Sequence, residues 1–527
     1  MTLKALPWSF AAPCNVIAKP GMVRRILGED KMARLKKLIG CLNALVFFVG
    51  LFMFTSYFWV GHNFYNVTLD VIIIHLILPL KGADSRYFWE VGGLIAVVVV
   101  VSVIYGLAYW QSGKRKKFLG LRPLTFRISS VVLSVVLVVA SAWLIERRYH
   151  LYDFIFPGEL FSSFVEDNSY LPPVEAITFP EGSNNLVLIV LESVESTVND
   201  TEYFNPVLMP ELLGRSKQGV RLLGQRQVVG TEFSLSSFFA LTLGMPAKSN
   251  FNTRDVVNIA MGRIAEEDLK YDDFMGTRDW KESSVLGILE RNGHHVSLMR
   301  AADARFCNYI GLIRQSTKEC DVWDLKYFLD NRYIEEEQNA WGVYDGYLYD
   351  RAREYLAANH QKGAFTMVIQ TVDTHQPGFP EPGMEQLHGD LRDAYIQGDK
   401  LASDFIQWVQ DQPFGEKTTI VVVGDHLTIM GKIGAVSLPP AEQRSIMAFI
   451  LNSRKGAPGD TIERLYATWD LAPTILEALG ADLPQSRFGL GTSLFSEKRN
   501  LLERVGASRY NVDIRKRSHY SEKYYGW

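Results

Sequence analysis

Three long apolar runs within the first 150 residues constrain this chain more than any other feature. Residues 38–60 are apolar and aromatic, 91–110 are apolar without a charge, and 128–145 are apolar with a few Ser. Each is about the length that crosses the hydrocarbon core of a bilayer as a helix. Buried helices of a soluble core rarely come as three such runs in succession. The mean hydropathy of +0.01 in a chain that is 21% charged fits a membrane part joined to a soluble part. A formal net charge of -3 gives no case for a nucleic-acid partner.

Flanking cations set the expected orientation. Arg24, Arg25, Lys31, Arg34, Lys36 and Lys37 precede the first run, and Lys114, Arg115, Lys116, Lys117, Arg122 and Arg127 lie between the second and third. The loop between the first two runs holds only Lys81 and Arg86. The N-terminus and the 111–127 loop are therefore expected in the cytoplasm, and everything after about residue 146 outside. Arg147 and Arg148 oppose this weakly. The first run starts too late and is too long for a cleaved signal peptide. In the outer loop, "VTLDVIIIHLILPLKGAD" has an apolar stretch too short to span. The expected organisation is a cytoplasmic segment 1–37, a transmembrane region 38–146, a juxtamembrane helix and linker 147–184, a folded domain 185–496 and a basic, aromatic tail 497–527. Cys307 and Cys320 fall in the outer domain, where a disulfide and two buried thiols are both open.

From Asn185 onward, strand-like runs alternate with helical stretches. This predicts an α/β domain with a largely parallel sheet and helices on both faces. Such sheets bind ligands beyond the carboxyl ends of their strands. "NLVLIVLESVEST" leads into Glu192 and Ser193, "HHVSLMRAADARF" into Asp303 and Arg305, "AFTMVIQTVDTHQP" into Asp373 and His375, and "TTIVVVGDHL" into Asp425 and His426. Taken singly, these acids are ordinary turn or cap residues. Taken together on equivalent strand ends, Glu192, Asp425 and His426 make an oxygen and nitrogen set suited to Mn, Mg or Zn. In "QVVGTEFSLSSFFALTLGMP" a short strand, 227–229, meets Gly230 and Thr231 ahead of a helix from about Phe233 to Leu243. Thr231 then lies near a helix N-terminus, where free N–H groups favour anions. A simple cap and a nucleophilic hydroxyl both stand for it, with Ser193, Ser196, Thr197 and Ser234 as rivals.

"GTEFSLSSFFALTLGMP", "TVDTHQP", "VGDHL", "LESVE" and "MRAADARF" resemble the motifs of the membrane-anchored phosphoglycerol transferases of the alkaline phosphatase/sulfatase superfamily, the group of lipoteichoic acid synthase and the osmoregulated periplasmic glucan transferase. "DLAPTILEALG" and "GLGTSLFS" resemble the way such domains end, and the similarity covers residues 185–495. It implies one divalent metal, Mn or Mg with Zn as an option, held by Glu192, Thr231, Asp425 and His426. It implies Thr231 as nucleophile, with Arg305, His375 and Asp303 facing the substrate. It further implies transfer of glycerol phosphate from phosphatidylglycerol to a glycan, through a phospho-threonine, at the outer face of a bacterial inner membrane. Ala301 and Ala302 stand where some relatives have His-Gly, and the Cys/Ser-x-Pro-x-Arg context of sulfatases is absent. Phosphoethanolamine transfer, a lipid phosphodiesterase and an inactive lipid-binding regulator are the competing expectations. The tail "RYNVDIRKRSHYSEKYYGW" offers rings for sugars and cations for head groups, or is simply solvated.

Overall fold

The computed structural model describes residues 20–64, 72, 85–149, 151–152, 161–247, 280–306, 309–516 and 518–520. The outer-loop run at 67–84 lies outside these apart from residue 72, as do Cys307, much of the juxtamembrane stretch and the last residues of the tail. The described residues fall into two compact units, one from residues up to 58 with 88–145 and one from 59–87 with 146–527.

The three apolar runs lie inside helices α1 (Pro20–Asn63), α2 (Ser85–Ser112) and α3 (Pro123–Tyr149). All three contain a segment long and apolar enough to cross a membrane. Apolar side chains gain little from each other in lipid, so such helices associate through close packing and polar contacts. In the first unit Asn43, Tyr105 and Ser134 supply the contacts. Asn43 Nδ2 donates to Tyr105 Oη (3.2 Å), Tyr105 Oη and Ser134 Oγ are 2.9 Å apart, and Ser134 Oγ donates to Asn43 Oδ1 (2.9 Å). Phe47 stacks on Tyr105 at 3.8 Å, and Gly50 lets the Val138 backbone approach, since a Cβ there would sit 3.0 Å from its nitrogen.

The second unit is built on eight strands: β1 (Asn185–Leu191), β2 (Val220–Gln225), β3 (His295–Arg300), β4 (Asp321–Trp323), β5 (Phe365–Gln370), β6 (Thr418–Gly424), β7 (Ala448–Leu451) and β8 (Thr461–Tyr466). They run in the order β8-β2-β7-β6-β1-β5-β3-β4. All neighbours are parallel except β7, which is antiparallel to both β2 and β6. The continuous apolar runs of β1 and β6 reflect burial on both faces. Leu186, Leu188 and Val190 of β1 and Val421 and Val423 of β6 face one core. Packed there are α4 (Ser234–Leu243), α5 (Tyr309–Ser316), α8 (Leu471–Ala478) and α9 (Ala507–Asp513). Val187 and Ile189, with Ile420 and Val422, face the other core. It is covered by α6 (Asp345–Asn359) and α7 (Leu391–Asp411). Truncating a fully buried ring such as Phe405 to Ala would cost about 3–5 kcal/mol.

Register aligns the carboxyl ends of the central strands. Leu191 pairs with Gly424, Val190 with Gln370, and Arg300 with Gln370. Glu192, Thr371 and Asp425 therefore emerge on one rim. Gly424 is required there, because a Cβ would run into the Val194 carbonyl oxygen. The tail is not merely a solvated appendage. Tyr510 and Ile514 are fully buried, and the Tyr510 ring lies 4.8 Å from that of Trp469.

Candidate metal centre and nucleophile

Glu192 follows β1, and Asp425 and His426 follow β6. Their ligand atoms lie within 4.8 Å of one another, and all three residues are buried. Each is held by its neighbours. The Glu192 N–H donates to Thr371 Oγ1 (3.0 Å), and Thr374 Oγ1 donates to the Glu192 carbonyl. Asp425 Oδ1 accepts the N–H groups of Ser193 (2.8 Å) and His426 (2.7 Å). Ser193 adopts φ 53, a region costly for a residue with a side chain. Its Oγ donates to Glu192 Oε1 (2.8 Å), and Tyr395 Oη donates to its carbonyl (2.8 Å). His426 Nδ1 lies 3.0 Å from the Leu427 carbonyl. Donation there leaves the Nε2 lone pair facing Glu192 Oε1 (3.4 Å) and Asp425 Oδ2 (3.5 Å).

One acceptor of the cluster has no partner within the protein. Asp425 Oδ2 is buried and has no hydrogen-bond partner. Burial and the neighbouring Glu192 charge push the Asp425 carboxyl up to about 7. Burial also resists ionisation of Glu192, yet His426 holds it below the usual carboxylate range. Burial alone would lower His426, but Asp425 and Glu192 raise it to about 10. Two converging carboxylates and an imidazole thus draw positive charge to one point. This donor set fits a hard or borderline divalent ion, with Mn, Mg and Zn all compatible.

Thr231 makes no hydrogen bond to the cluster. Its Oγ1 donates to the Val228 carbonyl (2.8 Å) and accepts the Val228 N–H (3.1 Å), closing a turn in which Thr231 is fully buried. The expected strand at 227–229 is irregular; β2 ends at Gln225. Helix α4 starts at Ser234, three residues beyond Thr231. Ser234 Oγ instead meets the cluster, donating to Glu192 Oε2 (3.0 Å) and lying 3.4 Å from His426 Nε2. The hydroxyl at the helix N-terminus is thus Ser234, one of the rivals weighed above.

The substrate-side residues divide. His375 is close enough to Glu192 to lower its pKa, and its ring lies 4.4 Å from that of Trp341. Asp373 turns away, accepting the Asp345 N–H (2.8 Å) and Asn339 Nδ2 (3.0 Å). Arg305 and Asp303 engage each other, with Arg305 Nε 3.0 Å from both Asp303 oxygens and 60% of the Arg305 side chain exposed. Sequence reasoning missed the fully buried ion pair of Arg444 Nη1 and Glu195 Oε2 (2.8 Å). Arg444 also donates to the Thr428 carbonyl (3.3 Å). The pair thereby ties the loop after β1 to the loop after β6. The second acid of "LESVE" was its visible trace.

A sequence profile of the sulfatase family matches residues 184–481. Phosphoglycerol transferase I from Xanthomonas axonopodis pv. citri is 26% identical over 317 residues, covering 58% of this chain and 42% of that protein. Phosphoglycerol transferase I from Escherichia coli is 24% identical over 453 residues, covering 81% of this chain and 53% of that one. The chain thus spans about half the length of these relatives. The crystal structure of the lipoteichoic acid synthase LtaP from Listeria monocytogenes superposes with a TM-score of 0.46 at 18% identity, over 63% of this chain and 81% of that one.

Proposed function

This chain belongs to the sulfatase family, and from that premise we propose that it is a phosphotransferase moving glycerol phosphate from phosphatidylglycerol to a glycan hydroxyl, with Ser234 as nucleophile. The observation that carries the reading is the placement of Ser234 Oγ against both Glu192 and His426 at the first residue of a helix. A divalent cation held by Glu192, Asp425 and His426, Mn or Mg in our reading, would supply positive charge that acidifies a nearby hydroxyl and offsets phosphate charge. The protein's own groups do the rest. Glu192 orients the Ser234 hydroxyl. The free N–H groups at the start of α4 face the phosphate oxygens. Ser234 Oγ bonds to phosphorus as the bond to diacylglycerol breaks, and the departing oxygen takes up a proton. A glycan hydroxyl then bonds to phosphorus, the serine ester breaks, and Ser234 regains its proton. The stabilisation is chiefly positional and electrostatic. In our reading His375 faces the glycerol.

The three apolar helices anchor the enzyme beside its lipid donor. In our reading the second unit lies on the outer side of a bacterial cytoplasmic membrane and the N-terminus inside, following the cation distribution. The test is incubation of the full chain with labelled phosphatidylglycerol and Mn²⁺. Diacylglycerol release by wild type and Thr231→Ala but not by Ser234→Ala is expected. Undiminished release by Ser234→Ala would refute the assignment.

A further inference from the structure

Arg300 is the last residue of β3 and is only 5% exposed. Its guanidinium stacks on the Tyr309 ring, 3.6 Å from the centroid, and Nη1 donates to Gln370 Oε1. Gln370 Nε2 in turn donates to Tyr309 Oη (2.7 Å). Arg300 Nε is buried without a hydrogen-bond partner. Among the described residues, no carboxylate stands in ion-pair distance of this guanidinium. Asp303, the acid whose charge it influences, is engaged by Arg305. A buried cation without a counter-ion is costly, so its place in the fold matters.

Strand alternation fixes that place. Leu298, Val368, Val190 and Val423 face one core, so Arg300, Gln370, Glu192 and Asp425, each two residues further on, follow on the same side. In register Arg300 is level with Gln370 and Val190, with β5 alone between β3 and β1, so Glu192, two residues beyond Val190, is about 12 Å away at the usual strand spacing and rise. Tyr309, which the guanidinium covers, also stacks on Phe238 of α4 at 5.4 Å. Arg300 therefore lies under the helix that carries Ser234, on the metal-ligand side of the sheet.

The charges then count simply. Glu192 and Asp425 match a dication, Asp303 is paired with Arg305, and Glu195 with Arg444. None of these four carboxylates is left to offset Arg300. We propose that Arg300 sets the net charge of the loaded site and so selects a phosphodiester whose head group is otherwise uncharged, such as glycerol phosphate, over one that carries an ammonium, such as phosphoethanolamine; this rests on the head-group transfer reading above. Arg300 acts at a distance through the field it creates, and the exposed Arg305 has no such role.

The test measures binding, so it is independent of turnover. The full chain in detergent with Mn²⁺ is titrated calorimetrically with sn-glycero-3-phosphoglycerol and with sn-glycero-3-phosphoethanolamine. Wild type is expected to favour the first by about tenfold, the scale of a unit charge about 12 Å away at an effective dielectric of about 20. Arg300→Gln should bring the two within about twofold, Arg300→Lys should keep the preference, and Arg305→Gln should leave it unchanged. Mn²⁺ affinity, read by electron paramagnetic resonance, should tighten at least about threefold in Arg300→Gln, since a like charge is removed. A damaged site would loosen it instead. If the Gln variant does not fold, Arg300→Met carries the same test. A preference retained without the charge, or Mn²⁺ affinity that is unchanged or weaker, overturns the proposal. Absence of diacylglycerol release with these binding results intact would instead count against the donor reading.

Discussion

The two units each bury a small polar cluster, and the clusters differ in one respect. In the helical unit, Asn43, Tyr105 and Ser134 form a closed ring of hydrogen bonds between three helices. In the sheet unit, Glu192, Asp425 and His426 converge with an unpartnered Asp425 Oδ2, and the Asp425 carboxyl and His426 imidazole are pushed up while Glu192 is held down. A satisfied cluster of neutral groups holds helices together. An unsatisfied cluster of ionisable groups stores a demand for positive charge. The difference separates glue from a candidate binding site without reference to any relative.

The comparison can be broken most forcefully at Ser234. Ser234→Ala should lower transfer at least about 10³-fold, or about 4 kcal/mol of barrier, in a diacylglycerol-release assay. Thr231→Ala should remain active and lose stability only, because its hydroxyl closes a turn with Val228. Next in size is the Glu195–Arg444 brace. Removing one partner strands a fully buried charge. Arg444→Ala should therefore destabilise the protein by about 3–5 kcal/mol, seen as a lower thermal midpoint, with weaker Mn²⁺ binding because the two ligand loops are no longer tied. A smaller effect is expected from the ion itself. Mn²⁺ at about 100 times its dissociation constant should add about 2.7 kcal/mol of stability, and a chelator should remove it. Smallest is the helical ring. Ser134→Ala or Asn43→Ala should cost about 1 kcal/mol or less and leave Mn²⁺ affinity unchanged.

The sequence carried the strand ends well. Runs such as "NLVLIVL" and "TTIVVVG" are buried on both faces, so where they stop is legible, and with it Glu192, Asp425 and His426. It carried the proposed nucleophile less well. Thr231 and Ser234 flank the same turn, and the choice depends on a side-chain to backbone closure at Val228 that no periodicity records. Arg305 drew attention because it followed an acid, whereas Arg300 passed as a strand terminus. Only packing on Tyr309 distinguishes a buried guanidinium from an exposed one. The tail was ambiguous for a similar reason. Tyr510 donates to the Val229 carbonyl (2.9 Å) nearly three hundred residues upstream in the chain, a contact set by tertiary structure alone.

The most direct measurement is the count of tightly bound Mn²⁺ per chain, by electron paramagnetic resonance titration of the 527-residue chain. One ion in wild type, one in Asn43→Ala and none in Asp425→Asn is the predicted result. Equal binding by wild type and Asp425→Asn would contradict the account.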